Sequence, residues 1–410
     1  MQSRQHRELE IGTLLLQNGF SEEALKYLQG ADRSDIRTKI NLGVCYRHLG
    51  RFTEALDILM TTLGQQRQPA ALTAIGSVSE DLGNYKAATT WHEEAHRLMP
   101  TNEAIALNYS LCLLREGRLQ EAWPLYDFGR SVNNSRYPPL PRWNINGSDD
   151  THGKRILVCP EGGYGDTLLY MRYLEELKSL GFAITLMTWD SMIPLLKLEL
   201  KNVVNAIVPE SEELPLFGED NQPLYDFCLP LMSLPAALDY ETSQALASPK
   251  QTISASPRPL DTRSTKRIGL CWTAGEDNIV RKHRSLTRED ALTLTKATNA
   301  EWVSLVPNQE LTVGSAAPLT ANSNWLDTKR VIDNCDLVIS VDTAVAHLAG
   351  AMGKPTWILL PLRRDWKWGL PEQPFHWYKY AQYFQQTNPT SWGSVLKEIS
   401  TTLRQEAVSA

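Results

Sequence analysis

Three short stretches carry the side chains that could do chemistry. The first is Gly162-Gly163-Tyr164-Gly165-Asp166-Thr167, where a carboxylate follows three glycines at the point at which an apolar run gives way to a helical pattern. Such a loop is built either to hold a phosphate or to present the carboxylate, and the choice decides the chemistry. The plainer alternative is a helix cap, with Asp166 accepting the free amide hydrogens of the first turn. Three glycines imply that the backbone and a substrate come very close. The spacing is G-G-x-G-D rather than G-x-G-x-x-G, and no Gly-Lys-Ser/Thr follows, which excludes a Walker A loop. Asp190 stands near where a dinucleotide fold places its ribose-binding acid, but Asp166 would repel a pyrophosphate seated on the same helix end.

The second stretch, residues 340–355, reads SVDTAVAHLAGAMGKP. A buried strand ends at Val341, Asp342 or Thr343 caps a helix, and the helix carries little side-chain bulk. Its N–H groups and the positive end of its dipole make an anion site. Thr343 adds a hydroxyl, and His347 lies one turn along the same face. A histidine satisfied beneath the loop is the bland alternative. The third stretch follows the strand-like RIGLCW and Thr273, and contains Arg281, Lys282, His283 and Arg284. A cationic loop at the carboxyl end of a strand suits a leaving diphosphate, although such loops are often simply solvated. The predicted binding set is therefore Gly163, Gly165, Thr167, Thr273, Arg281, Lys282, Arg284, Asp342, Thr343 and His347, around Asp166.

These loops need a scaffold, and the residues 154–250 and 266–410 supply the pattern of one. Apolar runs (RILVC, AITLMTW, NAIVP, DFCLPL, then RIGLCW, EWVSLV, LVISV, TWILLP) alternate with helical ones, including Asp166 to Leu180 and Ile193 to Leu200. Few polar residues interrupt the runs, so each half reads as a parallel sheet covered on both faces. A Ser/Thr/Pro-rich break at 251–265 reads as a hinge, and two Rossmann-like halves so joined place a ligand between them. The aromatics Trp366, Trp368, Trp377, Tyr378 and Tyr380 are expected mostly to seal the interface between halves and terminal helices.

Residues 1–130 follow a different rule. Gly19, Gly50, Gly83 and Gly117 recur at intervals of 31, 33 and 34 residues, with Ala24, Ala55, Ala88 and Ala122 following each. Leu42-Gly43, Tyr46 and Ala55 in one unit, and Gly76, Ala88 and Pro100 in the next, resemble the tetratricopeptide repeat. That resemblance implies an all-α solenoid of four helix pairs holding a protein or peptide partner; a rigid spacer or dimerisation arm is the alternative. Pro138, Pro139 and Pro141 mark a linker over 131–153, and the α/β part from about Thr151 is expected to fold alone.

Composition excludes several classes. The chain of 410 residues has a net charge of −6, 42% hydrophobic and 21% charged residues, which argues against a nucleic-acid binder. Six dispersed cysteines show no zinc spacing and read as reduced thiols. No signal core or membrane-length apolar run is evident, so a cytoplasmic protein without an integral membrane segment is expected.

The G-G-x-G-D-T loop, the strand before the basic loop, DTAVAHLAGA and Asp365-Trp366-Lys367-Trp368 together resemble glycosyltransferase family 9, the ADP-heptose transferases and their tetratricopeptide-fused relatives. The resemblance covers roughly residues 153 to 400. It implies a GT-B fold and inverting, metal-independent transfer from a nucleotide sugar, ADP-heptose being the best-known donor, with no cofactor. It places the general base on Asp166 and the donor site on Asp342, Thr343 and His347. The chain contains no Asp-x-Asp for a metal clamp on a diphosphate. The acceptor is expected to be a protein presented by the repeats; a glycan or lipid-linked acceptor, or a non-catalytic scaffold with a nucleotide-binding module, are the alternatives.

Overall fold

The computed structural model describes residues 2–64, 67–131, 137–138, 140–147, 150–239, 249–255, 265–275, 283–311 and 318–408. The chain divides into two compact units. The first comprises Met1–Asn133 with Leu362–Pro374 and Thr387–Ser391; the second comprises Asn134–Pro361, Phe375–Gln386 and Trp392–Ala410.

Among its described residues the first unit holds eight α-helices in four pairs: α1 Gln2–Gln17 with α2 Ser21–Gly30, α3 Ile36–His48 with α4 Phe52–Met60, α5 Pro69–Asp81 with α6 Tyr85–Leu98, and α7 Glu103–Arg115 with α8 Leu119–Ser131. Each pair turns at one of the periodic glycines, all four in the left-handed region with φ between 72° and 83°. The same two hydrogen bonds close each turn. Gly50 donates to Arg47 at 3.0 Å and Arg51 to Tyr46 at 2.9 Å, as Gly83 does to Glu80 and Asn84 to Ser79 at 2.9 and 2.8 Å. These are Schellman closures, which only glycine enters without a Cβ penalty. Ala24, Ala55, Ala88 and Ala122 are fully buried between the paired helices. Gly12, Gly43 and Gly76 do the same work from the facing helix, since a Cβ there would strike Leu28, Leu59 or His92.

The last turn of α5 carries two buried acids, Glu80 and Asp81, at the end of the helix where the dipole disfavours negative charge. Arginines compensate. Arg115 of α7 reaches Glu80 at 2.7 Å, Arg47 of α3 pairs with Asp81, and Arg363 reaches Glu80 at 2.9 Å and Asp81 at 2.8 Å. Burial alone would raise the Glu80 pKa, but the guanidiniums of Arg363 and Arg115 outweigh it and hold the carboxyl well below its usual range.

The second unit contains two parallel sheets. Strands β1 Arg155–Cys159, β2 Ala183–Thr188, β3 Ala206–Pro209 and β4 Phe227–Pro230 lie in the order β3-β2-β1-β4. Strands β5 Arg267–Cys271, β6 Glu301–Ser304, β7 Leu337–Val341, β8 Thr356–Leu360 and Ala381–Gln385 form a five-stranded sheet, the last pairing in parallel with β8. Strands β7 and β8 are buried throughout, as near-continuous apolar runs require. The described residues of the linker pack on the first sheet: Cys228 donates to the Pro141 carbonyl at 2.9 Å and Trp143 meets Phe182 edge-on at 5.0 Å. Within the predicted hinge, Thr252 and Ile253 both donate to the Ala351 carbonyl at 3.0 Å. No described helix is long and apolar enough to cross a membrane.

Because the folded-state pKa of Glu80 is depressed, its stabilisation is complete above the unfolded value of about 4.3 and disappears as pH falls through the folded value. Glu80→Gln should cost about 3 kcal/mol or more at pH 7, as breaking a buried pair does. Urea unfolding followed by circular dichroism should show the gap to wild type closing as pH falls below about 4.

Candidate active site

β1 ends at Cys159, and the chain turns through Gly162, with φ of 74°, into a helix over Tyr164–Tyr170. This helix starts two residues earlier than its sequence pattern predicts and passes through a 3-10 turn at Met171–Tyr173. Gly163 is its N-cap residue, so Asp166 falls in the first turn rather than at the cap. The Oδ2 of Asp166 accepts the Gly163 amide at 2.8 Å, which fixes the half-buried carboxylate against its own loop. Thr167 is buried, and its hydroxyl bonds the Gly163 carbonyl at 3.3 Å, a bond within the helix turn.

The three glycines have different reasons. A Cβ at Gly162 would collide with the Asp166 carboxylate, and one at Gly165 would stand 2.8 Å from His347 Cδ2 and 3.4 Å from Ala344 Cα. A Cβ at Gly163 would meet Asp166 at an ordinary 3.8 Å. Two of the glycines are thus accounted for by neighbours within the protein.

The other wall is the helix Ala344–Ala351, entered from β7 through Asp342 and Thr343. Thr343 occupies the N-cap position, but its hydroxyl faces Ser340 Oγ at 2.9 Å and Cys271 Sγ at 3.7 Å and makes no cap bond. Asp342 is buried, with Oδ2 3.7 Å from Arg284 Nη1. Arg284 is therefore partly neutralised by its neighbour, while its buried Nε finds no hydrogen-bond partner among the described residues. His347 is buried, its Nδ1 bonded to the Tyr378 hydroxyl at 2.7 Å. Tyr378 in turn lies on Gly350, where a Cβ would stand 2.5 Å from its ring.

At the end of β5, Thr273 organises the loop: its hydroxyl donates to Ser285 Oγ at 3.3 Å and accepts the Gly275 amide at 3.1 Å. Ser285 also receives the Ala274 amide at 2.9 Å, and its carbonyl receives Trp392 Nε1 at 3.1 Å. Arg281 and Lys282 lie outside the described residues. Asp190 accepts Ser211 Oγ at 2.8 Å. Among the described residues no group of three or more His, Cys, Asp or Glu side chains is placed to hold a metal ion.

Gly165 thus lies against Ala344 and His347, with Gly163, Asp166 and Thr167 beside it in the same loop and helix turn, while Thr273 and Arg284 lie at the ends of β5 and β7. Several neighbours escape motif reading. Arg172, almost wholly buried, donates to the Leu169 carbonyl at 2.9 Å, and its guanidinium lies 5.2 and 5.7 Å from the rings of Trp377 and Tyr378. Such a desolvated cation–π pair contributes on the order of 2 kcal/mol. Tyr164, two positions before Asp166, contacts Trp189 and Trp325 at 5.9 and 5.2 Å between ring centres. Of the five aromatics expected at the interface, Trp377 and Tyr378 bridge the halves, Trp366 and Trp368 belong to the repeat unit, and Tyr380 is exposed.

Comparison with known proteins bears on this cleft. Residues 293–359 match the model of glycosyltransferase family 9 (heptosyltransferase), a stretch that includes Asp342, Thr343 and His347 and leaves Asp166 outside. The chain is 23% identical to Protein FlbA of Caulobacter vibrioides over 480 residues, covering 98% of this chain and 78% of that protein. Among solved structures, MamA of Desulfovibrio magneticus is 19% identical, covers 32% of this chain and 76% of its own, and has a TM-score of 0.28. YrrB, described as a TPR protein with an unusual peptide-binding site, is 22% identical over 30% of this chain and 66% of its own, with a TM-score of 0.26.

Gly163→Ala should be tolerated within about 1 kcal/mol, the usual difference between these residues at a cap. Gly165→Ala should cost about 1–3 kcal/mol, because the buried His347 ring has nowhere to yield. Thermal unfolding of the two variants side by side checks the ranking.

Proposed function

We propose that the chain, of which residues 293–359 match the glycosyltransferase family 9 model, is an inverting, metal-independent transferase. It moves a sugar, of hexose or heptose type, from a nucleotide sugar to an acceptor hydroxyl in the cytoplasm. The supporting observation is the close approach of Gly165, the chain neighbour of Asp166, to Ala344 and His347 in the first turn of the Ala344–Ala351 helix. An acid on one side and a helix amino end on the other is the arrangement that inversion needs.

In this reading the acceptor hydroxyl gives its proton to the Asp166 carboxylate as its oxygen bonds to the anomeric carbon. The bond from that carbon to the diphosphate breaks, and its electron pair leaves with the nucleotide. The leaving charge is met by the N–H groups that open the Ala344–Ala351 helix and by Arg284, with Arg281 and Lys282 as further cations. Thr343 and Thr273 shape the walls of the phosphate site through their bonds to Ser340 and Ser285. His347 supports the same wall from beneath. The repeats present a protein acceptor or partner.

The bond from Asp166 to the Gly163 amide supports a competing role as a helix brace. Asp166→Asn separates the two, because the amide oxygen can still accept from Gly163. Loss of about 100-fold or more in turnover, with nucleotide affinity and melting temperature nearly unchanged, is expected of a base. Wild-type turnover in a less stable variant would leave only the brace. The assay is release of nucleoside diphosphate from a panel of nucleotide sugars.

A further inference from the structure

The connection between the neighbouring parallel strands β8 and Ala381–Gln385 is unusual. Parallel neighbours need a crossover, commonly a helix packed on their own sheet. Here the middle of the crossover, Leu362–Pro374, belongs to the repeat unit. It forms a 3-10 turn at Trp366–Trp368 and a small antiparallel pair of Gly369–Leu370 with Gln373–Pro374.

The repeats hold this strap with a built site. Arg363 spans Glu80 and Asp81 with separate nitrogens, at 2.9 and 2.8 Å. The Tyr85 hydroxyl donates to the Leu362 carbonyl and accepts the Arg364 amide at 3.1 Å, so one side chain satisfies two backbone groups of the strap. Leu362 lies over Gly83, where a Cβ would stand 2.9 Å from it. Trp366 packs edge-on against Trp123 at 5.9 Å, and Trp368 is completely buried. Glu80 and Asp81 sit at the end of α5 that disfavours acids, so they are costly in an isolated repeat and explicable only with the cations they receive.

We propose that the strap is the resident ligand of the repeats, and that Glu80, Asp81 and Tyr85 are positioning residues for the transferase cleft. The path is covalent and short. Pro374 is followed by Phe375, and Trp377 and Tyr378 are the residues that stack on Arg172 and bond His347. A strap held at Arg363 fixes where Trp377 and Tyr378 begin; a loose one lets them, and with them His347 and Gly165, drift. An α/β part made from Thr151 onward would keep the strap but lose Glu80, Asp81, Tyr85 and Trp123, leaving Trp366 and Trp368 uncovered. The positioning role rests on the transferase reading of the cleft, whereas the strap's dependence on the repeats does not.

Hydrogen exchange on the full chain separates these parts. Arg363→Ala, with a partly exposed side chain, should fold, and should raise exchange at Trp366–Trp368 by about tenfold or more. A smaller rise should follow at Tyr378 and His347. Arg363→Lys, which keeps charge but loses the fork, should restore part of the protection. Tyr85→Phe, which removes only the hydroxyl, should reproduce the effect on the strap. Calorimetry with ADP and with UDP should show weaker binding in Arg363→Ala, and KM for the donor should rise more than kcat falls. Wild-type exchange of the strap in both Arg363→Ala and Tyr85→Phe would overturn the clamp. A loosened strap with unchanged exchange at Tyr378 and His347 would overturn the positioning. If the wild type binds neither nucleotide, the exchange data still decide the clamp, and the failure belongs to the transferase reading.

Discussion

The meeting of the Gly-rich loop with the Ala344–Ala351 helix depends on one missing side chain. Gly165 lets the first turn of the Tyr164–Tyr170 helix rest against His347 and Ala344, so that two helices from two sheets meet at their amino ends. Everything placed near that meeting inherits its geometry from it. Asp166 is braced on Gly163, His347 on Tyr378, and Tyr378 on Gly350 and Arg172. A methyl group at 165 would have to be absorbed by a buried ring, and buried rings in close-packed surroundings do not move freely.

Electrostatics divides the two walls. The loop side contributes a carboxylate; the other side contributes a helix amino end, with Asp342 drawing Arg284 to within 3.7 Å. The pairing holds Arg284 near the strand end and offsets part of its charge, so an anion placed here would rely more on the helix N–H groups than on this arginine. A different balance governs the repeat unit, where acids stand at a helix carboxyl end and three arginines answer them.

Much of this was legible in the residues. Four glycines at a regular period mark four left-handed turns, because no other residue closes a Schellman turn as cheaply. Eight apolar runs mark β1 to β8; β7 and β8 are buried at every position, as strands covered on both faces are, whereas β2 alternates and β3 is at most half-buried. Ala381–Gln385 escaped since it reads AQYFQ, an edge strand paired on one side only and mostly half-exposed. The start of the helix at Tyr164 escaped because Asp166, the obvious cap, turned out to reach back from the first turn. A glycine announces a close neighbour without naming it, so Gly165 pointed to a substrate where His347 stands. The strap was the least visible feature. Arg363 and the acids of α5 lie far apart in the chain, and no periodicity links them.

The central claim is that the Gly-rich loop and the Ala344–Ala351 helix are two walls of one nucleotide site. Hydrogen exchange of the full-length protein with and without a series of nucleoside diphosphates tests it directly. The account predicts that at least one of them slows exchange in both 163–168 and 343–349 together. Protection confined to one wall or lying elsewhere in the chain, or no protection by any nucleoside diphosphate, would contradict it.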